Sequence, residues 1–464
     1  MRLIPQPLSS ELLGGFSSVK DITERITVDG MNEEEYELTV SAENITVKAS
    51  SDKGFYYATV TLKQMKLLYD RLPCVRINDR PRYPYRGFMI DCARHMFSLD
   101  ELKKMISTAA DLKFNKLHWH LSDDQGFRIE LDNFPELTEK GSVRDCDNFR
   151  NLKNPSPYSG YYKKSEIREI IDFCAKKYID VIPEFDMPGH QSAFLHTYPQ
   201  FSCKGTAVEI KTKEGIFKDI VCAGNEEAKS TLKAILDEIC ELFYYDTVHI
   251  GGDEAPKNNW KSCEKCQRAM RENGINNEQD LQCHFINEMA EYLANKGKKC
   301  IVWNDCLKGD GLSRDITVQY WMGNKCKTAK AVNSGAEVIM SSFMPMYVDY
   351  PYGMHPLKAV YSYEPEDFSG LTQEGKKNIL GVESPIWTEY IDTDERLEYM
   401  CFPRWFAVAE TAWSKKENKD YKKFCFVLDN LAEKYRREGL TVADKAEWDP
   451  EPMQRLKRTL GFFI

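Results

Sequence analysis

From residue 85 onward, short apolar segments alternate with amphipathic segments, and no other feature constrains the fold as strongly. The predicted strands are GFMIDCA (87–93), KLHWHLS (116–122), DVIPEFD (180–186), TVHIGGD (247–253), CIVWND (300–305), TVQYWM (317–322), EVIMSS (337–342) and ILGVESPIW (379–387). The predicted helices are clearest over 99–112, 165–177, 277–296, 329–334 and 396–413. Strands that alternate with helices form parallel sheets, and eight such units close a ring, so the sequence predicts an α/β fold built on a (β/α)8 TIM barrel. A doubly wound open sheet is the alternative, although no glycine-rich dinucleotide loop follows the first strand.

The residues before the barrel predict a small separate unit. YELTVS (36–41) and NITVKA (44–49) alternate like two strands joined by a short turn, and a helix is predicted over 54–69. The predicted domains are a small α+β domain (1–80), the barrel (81–413) and a C-terminal helical extension packed on the barrel (414–464), to which we assign no function.

Charge and hydropathy argue against two classes of partner. The chain has 63 Lys and Arg against 72 Asp and Glu, a net charge of −9, and no basic run, so we expect neither nucleic acid nor an anionic membrane surface as its main partner. No apolar segment reaches the roughly 18 residues of a membrane-spanning helix. The N-terminal MRLIPQPLSSELLGG lacks the apolar core of a secretory signal, so a cytoplasmic location is expected. The pattern does not indicate an oligomeric state.

The cysteines predict free thiols rather than a disulfide framework. Fifteen of them are spread through segments predicted to be core, which is typical of a reducing compartment. The pair Cys263 and Cys266 has zinc-ligand spacing, but no second CxxC or HxxxH follows at a suitable distance. His118 and His120 share one strand face, where histidines with satisfied hydrogen bonds are commoner than metal ligands. We therefore expect no metal at either pair.

Polar and aromatic residues gather at the C-terminal ends of the predicted strands, where TIM-barrel enzymes carry their active sites. In strand order they are Asp91, Arg94 and His95; Asp123 and Asp124; Glu184, Asp186 and His190; Asp253 and Glu254; Trp303; Trp321; Tyr347 and Asp349; and Trp387 and Glu389. The set contains neither a phosphate-binding GKS/T loop nor a serine elbow. Aromatic rings stack on the C–H faces of sugars while carboxylates accept hydrogen bonds from their hydroxyls, so the set favours a carbohydrate ligand.

Four segments of the predicted barrel carry specific motifs. They are RGFMIDCARHMFSLDELKKMISTAADLKFNKLHWHLSDDQGFRIEL (86–131), VIPEFDMPGH (181–190), VHIGGDEAP (248–256) and GVESPIWTE (381–389). Together they resemble glycoside hydrolase family 20, the β-N-acetylhexosaminidases. HWHLSDDQG combined with GGDE is far more specific than any single tetrapeptide, and the resemblance runs over roughly residues 50–413.

The resemblance implies an exo-acting, retaining hydrolase without metal or organic cofactor. Its substrate would be an oligosaccharide or glycoconjugate with a terminal β-linked N-acetylglucosamine or N-acetylgalactosamine. In this family the 2-acetamido oxygen of the substrate attacks the anomeric carbon and forms an oxazolinium intermediate, an exception to the two-carboxylate scheme. By the same resemblance Glu254 is the general acid/base, Asp253 holds the acetamide N–H and offsets the positive charge, and Tyr347 donates to the acetamide carbonyl.

The resemblance also implies a set of substrate-binding residues. Arg94 resembles the arginine that binds the O3 and O4 hydroxyls, a task that suits the guanidinium fork. Glu389 and Asp349 would bind on the O4 and O6 side. The remaining residues are Trp303, Trp321 and Trp387, as walls of the pocket, and Asp123 with His190, as the pair that orients the catalytic acid.

One wall departs from the family pattern. Many members carry a further tryptophan shortly after the Tyr-x-Asp loop, where this chain has PLKAVYSYE (356–364), and Tyr361 is the best match. A smaller ring there would loosen the acetamide cage or admit a different linkage.

Other interpretations stay open. A narrower enzyme of the same family would release a disaccharide, as a lacto-N-biosidase does, or a sulfated sugar, and the rim segments 206–220 and 345–365 would decide this. A non-catalytic sugar-binding relative is disfavoured because every proposed catalytic position holds a competent side chain. Glu184 and Asp186 are expected to be structural support, and Trp405 and Trp413 to pack in the core.

Overall fold

The computed structural model describes residues 1–463. Its strands in chain order are β1 (Ser9–Phe16), β2 (Glu24–Thr27), β3 (Tyr36–Val40), β4 (Ile45–Ala49), β5 (Pro73–Asp79), β6 (Tyr85–Asp91), β7 (Lys116–His120), β8 (Ser122–Asp123), β9 (Gly126–Phe127), β10 (Val143–Arg144), β11 (Asp147–Phe149), β12 (Leu152–Asn154), β13 (Tyr158–Ser159), β14 (Asp180–Glu184), β15 (Thr247–His249), β16 (Lys299–Trp303), β17 (Thr317–Tyr320), β18 (Val338–Met340) and β19 (Ile379–Ile386). Its α-helices are α1 (Asp52–Leu68), α2 (Leu99–Asp111), α3 (Glu136–Glu139), α4 (Lys164–Ala175), α5 (Ser192–Thr197), α6 (Glu226–Leu242), α7 (Asn258–Ser262), α8 (Glu264–Glu272), α9 (Glu278–Asn295), α10 (Lys325–Asn333), α11 (Phe343–Met346), α12 (Leu357–Ser362), α13 (Asp394–Cys401), α14 (Arg404–Trp413), α15 (Tyr421–Arg437), α16 (Lys445–Trp448) and α17 (Pro452–Phe463).

The N-terminal domain is a five-stranded sheet covered by one helix. Its strand order is β1-β5-β3-β4-β2, and α1 packs on it through apolar residues that form a core of their own. Every second residue of β3 and β4 is buried, which is why the alternating sequence predicts both strands. Ser51 caps α1 by accepting from the backbone N–H groups of Lys53 and Gly54.

The second domain is a closed barrel of parallel strands in the order β6-β7-β14-β15-β16-β17-β18-β19, with β19 pairing back onto β6. Each of the eight predicted strands overlaps one of these in the predicted order. The prediction of a (β/α)8 barrel preceded by a small α+β domain is therefore confirmed. Because all strands run the same way, their C-terminal ends meet at one face of the barrel.

The helices differ from the prediction in several places, of which two concern long segments. The predicted helix over 396–413 is two helices, α13 and α14, because Pro403 lacks the backbone N–H that an uninterrupted helix requires. Helix α6 was not predicted, although Asn225 caps it by accepting from the backbone N–H groups of Glu227 and Ala228. Trp405 and Trp413 lie in the core, as predicted.

The C-terminal extension adds three helices, α15 to α17, and the buried face of α15 joins the main core. Among the described residues, no helix combines the length and the apolar character needed to cross a lipid bilayer.

Candidate active site

A cavity of about 200 Å³ lies at the C-terminal ends of the barrel strands. The residues that line it are Arg94, Asp123, Asp186, His190, Glu214, Asp253, Glu254, Trp321, Phe343, Tyr347, Asp349, Tyr350, Trp387, Glu389 and Tyr390. Ten of the twelve residues predicted for the site are in this set, and Trp303 and Tyr361 are not.

The turn after β15 places two adjacent carboxylates at the cavity. Gly251, Gly252 and Glu254 all have positive φ, at 65°, 97° and 42°. A side chain at Gly251 would lie 1.8 Å from Asp186 Oδ1, so both the backbone conformation and the space require glycine there. The turn leaves Asp253 buried, whereas the Glu254 side chain is 28% exposed. The two neighbouring carboxylates therefore occupy different environments, one deep in the cavity and one at its mouth.

His190 connects these carboxylates to a buried charge network. Its Nε2 lies 3.6 Å from Glu254 Oε2 and 3.7 Å from Asp253 Oδ2. Its Nδ1 lies 3.1 Å from Asp123 Oδ1, and Arg94 Nη2 lies 2.7 Å from the other oxygen of Asp123. A chain of alternating charge thus runs from Arg94 through Asp123 and His190 to these two carboxylates.

The charges of this network decide its protonation. Burial would raise the pKa of Asp123, but Arg94 and His190 outweigh it and hold that pKa well below its usual range. Burial would lower the pKa of His190, but the Asp123 carboxylate raises it well above its usual value. His190 is therefore an imidazolium at neutral pH, and it presents a donor to Asp253 and Glu254.

Asp186 and Asp253 form a buried acidic pair. Burial raises the pKa of Asp186 to about 8, and the Gly252 N–H donates to its Oδ1 over 3.0 Å. Burial and the nearby Asp186 carboxyl raise the pKa of Asp253 well above its usual range. Because the repulsion between two close carboxylates makes ionisation of both unfavourable, the pair retains a proton at neutral pH.

As the pH rises from about 4 to about 8, we expect the wild type to lose stability relative to the Asp186→Asn variant. In that window the folded carboxyl keeps a proton that the unfolded chain, with an aspartate pKa near 3.9, has lost. The free energy of unfolding of the wild type should therefore fall relative to that of the variant by up to about 1.4 kcal/mol per pH unit. Thermal or urea unfolding at pH 5 and pH 8 measures this difference. Asp253→Asn should show the same trend. A difference in unfolding free energy between variant and wild type that is the same at pH 5 and pH 8, or smaller at pH 8, would contradict the proton retained by the pair.

Aromatic rings form the apolar side of the cavity. The rings of Trp321 and Tyr347 are stacked with centroids 6.2 Å apart, and those of Tyr347 and Trp387 are 6.4 Å apart. The Trp321 indole N–H donates to Asp305 Oδ2 over 2.7 Å, which fixes the ring. The three rings offer broad apolar faces of the kind on which a sugar ring stacks.

Charged groups also line the cavity, beside the aromatic rings. Arg94 lies 5.0 Å from the centroid of the Trp387 ring, and its Nη1 is 3.8 Å from Glu389 Oε1. Burial and the Glu389 carboxyl raise the pKa of Asp349 well above its usual range. Burial raises the pKa of Glu389 as well, although Arg94 opposes the shift. These groups supply both donors and acceptors for hydroxyl groups of a ligand.

The comparison with family models decides the family. Residues 83–416 match the model of the glycosyl hydrolase family 20 catalytic domain, and residues 17–80 match domain 2 of the same family. The chain belongs to glycosyl hydrolase family 20.

Two relatives and two solved structures illustrate the similarity. A beta-hexosaminidase of Porphyromonas gingivalis is 35% identical over 88% of this family 20 chain, which spans 54%, about half, of the length of that relative. A beta-hexosaminidase of Akkermansia muciniphila is 30% identical over 91% of this chain and 88% of its own. A crystal structure of a beta-N-acetylhexosaminidase has a TM-score of 0.87 at 29% identity and covers 97% of this chain and 98% of its own. The family 20 exo beta-N-acetylglucosaminidase of Vibrio harveyi in complex with N-acetylglucosamine has a TM-score of 0.84 at 26% identity over 95% of this chain and 78% of its own.

Two residues predicted to wall the pocket lie outside it. Trp303 is buried inside the barrel, where its indole N–H donates to Glu184 Oε1 over 2.8 Å and its ring packs against His249. Tyr361 lies on α12 and packs against Phe424 of α15 with centroids 4.6 Å apart. Its hydroxyl accepts from Arg2. Neither ring reaches the cavity, so both wall assignments are wrong.

Several cavity residues were not predicted from the sequence. Asp186 had been assigned to structural support, yet it lines the cavity beside Asp253, since it lies two residues beyond the end of β14. The other unpredicted residues are Glu214, Phe343, Tyr350 and Tyr390. The last three lie within four residues of a predicted site residue, and this proximity in sequence is a signal that indicates them.

The C-terminal helix of this family 20 chain also reaches the rim of the site. Phe462 of α17 contacts Tyr350 and Tyr390, with centroid distances of 5.7 and 5.1 Å. The predicted extension, to which the sequence assigned no function, thus supports two aromatic side chains of the cavity.

Histidines inside the barrel support the site from below. His118 Nδ1 lies 2.9 Å from Glu383 Oε1, and its Nε2 lies 3.1 Å from Glu184 Oε2. His120 contacts Glu184 as well, and its Nε2 lies 2.9 Å from Asp123 Oδ2. The buried carboxylates thus have a histidine partner, and Asp123 is fixed from beneath as well as from the cavity side.

Proposed function

We propose that this chain is an exo-acting, retaining β-N-acetylhexosaminidase. It releases terminal β-linked N-acetylglucosamine, and N-acetylgalactosamine, from oligosaccharides or glycoconjugates by substrate-assisted catalysis through an oxazolinium intermediate. The observation that carries the proposal is the placement of Asp253 and Glu254 beside one charged histidine in a cavity walled by indole and phenol rings.

The environment of Asp253 supports a role toward the acetamide. Its Oδ1 is buried and has no hydrogen-bond partner among residues 1–463, so it is available to an N–H group of the substrate. Burial and the nearby Asp186 carboxyl also raise the pKa of Asp253 in the free protein. A positive charge developing on the acetamide lowers that pKa and draws the carboxyl into its ionised form, so the interaction strengthens as the reaction proceeds.

The environment of Glu254 supports the acid/base role. At the mouth of the cavity it donates a proton to the glycosidic oxygen while the bond from that oxygen to the anomeric carbon breaks and the acetamide oxygen attacks. In the second step it takes a proton from the water that opens the oxazolinium ring. His190, fixed by Asp123, holds the carboxyl in place through both steps.

The size of the cavity supports the release of a single sugar. About 200 Å³ is less than the roughly 300–1,000 Å³ of pockets that hold drug-sized ligands, and it suits one pyranose ring better than two. Arg94, Asp349 and Glu389 then face the hydroxyls of that ring, and Trp387 packs against it. The relatives named as hexosaminidases and the N-acetylglucosamine in the V. harveyi structure agree with this substrate class.

A panel of aryl β-glycosides tests the proposal. It comprises N-acetylglucosamine, N-acetylgalactosamine, 6-sulfated N-acetylglucosamine and lacto-N-biose, each measured with the wild type and with an Asp253→Asn, Glu254→Gln double variant that controls for contaminating activity. We expect hydrolysis of the first two, with the β-anomer of the sugar formed first in NMR spectra. Cleavage of only the disaccharide or only the sulfated sugar would contradict the proposed substrate, and binding without cleavage would contradict an enzyme.

A further inference from the structure

Four cysteine thiols converge between the segments that follow β14 and β15. Cys222 Sγ lies 3.6 Å from both Cys263 Sγ and Cys266 Sγ, and Cys203 Sγ lies 3.8 Å from Cys266 Sγ. All four sulfurs lie within 4.8 Å of one another. Three of these cysteines are buried and Cys203 is half-buried.

The spacing of the sulfurs matches tetrahedral coordination. Zinc–sulfur bonds of about 2.3 Å put the corners of a ZnS₄ tetrahedron about 3.8 Å apart. Two disulfides would instead draw each sulfur toward one partner at about 2.05 Å, but Cys222 is equally close to Cys263 and Cys266. A single ion at the centre of the four thiols accounts for the arrangement better than two separate pairs.

The backbone around the thiols is close-packed. Gly224 lies so near the turn before Cys266 that a Cβ on it would be 2.2 Å from the carbonyl oxygen of Lys265 and 2.5 Å from the backbone nitrogen of Cys266. The close-packed backbone therefore holds Cys222 beside Cys266, and zinc would bind these side chains as thiolates.

We propose that Cys203, Cys222, Cys263 and Cys266 bind one structural Zn²⁺ ion. Four thiolates complete the coordination of zinc and leave no open position for a water or a substrate, so the site is structural and not catalytic. The proposal does not depend on the proposed hydrolase activity. It revises the expectation of no metal at the Cys263–Cys266 pair, because the two further ligands precede that pair in the chain instead of following it.

The ion would join the two loops that carry the catalytic network. Cys203 and Cys222 lie in the segment 185–225, which begins beyond β14 and contains His190, and the other two cysteines lie in the segment 250–277, which contains Asp253 and Glu254. Val221, next to Cys222, donates its N–H to the Pro188 carbonyl over 3.0 Å. The coordinated thiols thus continue directly into the turn that carries His190.

Metal analysis of purified protein tests the site. The full chain, prepared with a reductant and with zinc in the growth medium, should retain one zinc per molecule by plasma mass spectrometry after exhaustive dialysis. Cys266→Ala should reduce that content at least tenfold. The matched control is Cys174→Ala, which also removes a buried cysteine from a helix and should leave one zinc bound.

Cobalt gives an independent measurement on the wild type. Protein loaded with Co²⁺ should show the strong visible bands of a tetrahedral ion and the near-ultraviolet charge-transfer absorption of four thiolates, even if Cys266→Ala does not fold. Less than stoichiometric metal in the reduced wild type would overturn the proposal, as would iron in place of zinc. Full retention of zinc by Cys266→Ala would overturn it too. So would peptide maps that show disulfides among these four cysteines in protein that still binds its full amount of metal.

Discussion

Removing the acetamide group from the substrate is expected to abolish almost all of the proposed hydrolase activity. If the acetamide oxygen is the nucleophile, the substrate carries half of the catalytic apparatus, and attack by a pre-positioned group corresponds to effective molarities of about 10⁵–10⁸ M. An aryl β-glucoside, with a hydroxyl at carbon 2, should therefore react several orders of magnitude more slowly than the matching N-acetylglucosaminide. Initial rates with both aryl glycosides at equal concentrations measure the loss.

Fluorination of the acetyl methyl group refines this test. One, two and three fluorines make the oxygen a progressively poorer nucleophile, so the rate should fall at each step where cleavage is rate-limiting. Asp253→Asn should reduce this sensitivity, because the cationic intermediate loses its negative partner. We expect a thiazoline mimic of the intermediate to bind the wild type far more tightly than the product sugar does. Asp253→Asn should weaken the binding of this mimic.

Two outcomes would contradict substrate assistance. The first is a fluorine series with flat rates under conditions where cleavage limits turnover. The second is a sugar trapped covalently on an enzyme carboxylate, for which Asp123, Asp186 and Asp349 are the candidates. Asp123 is the poorest nucleophile of the three, because Arg94 and His190 already occupy its oxygens.

Replacing Glu254 by Gln is expected to slow the hydrolysis of natural glycosides by about 10²–10⁴-fold. Their alkoxide leaving groups need a proton, which an amide cannot supply. A dinitrophenyl glycoside, whose leaving group is stable as an anion, should lose much less. The ratio of kcat/KM values for the two substrates measures the acid role.

The control for this variant is Glu374→Gln, the same change at an exposed glutamate outside the cavity that pairs with Lys377. It should leave both rates unchanged. Equal losses on the natural and the activated substrate in Glu254→Gln would remove Glu254 from the acid role and assign its effect to binding or structure.

Local sequence pattern determined the barrel and most of the site. The strands are short apolar segments, and their burial inside a parallel sheet makes the pattern visible without tertiary information. The ends of parallel strands meet at one face, so residues as distant in sequence as Arg94 and Glu389 could be assigned to one pocket before any coordinates. The Gly-Gly turn before Asp253 is also a local feature, because its positive φ angles require glycine.

The residue at which each strand ends decides whether a nearby side chain lies inside the barrel or in the cavity, and the sequence pattern did not resolve this. Trp303 is the last residue of β16 and stays inside the barrel, whereas Trp321 follows the last residue of β17 and reaches the cavity. Glu184 and Asp186 differ in the same way at the end of β14. A shift of one or two residues moves a side chain from the barrel interior to the pocket, and sequence patterns do not resolve element boundaries to that accuracy.

Contacts between segments far apart in sequence were decided by the tertiary structure alone. Tyr361 is buried because α15, some 60 residues later in the chain, packs over α12. Phe462 supports Tyr350 across more than 100 residues, and Cys203 meets Cys266 across 63. Such contacts leave no periodicity and no fixed spacing, because they depend on how separate loops and helices pack around the barrel. The sequence by itself determined the barrel, its family and the adjacent carboxylates that follow β15. The packing of the chain decided the pocket walls and the four-cysteine cluster.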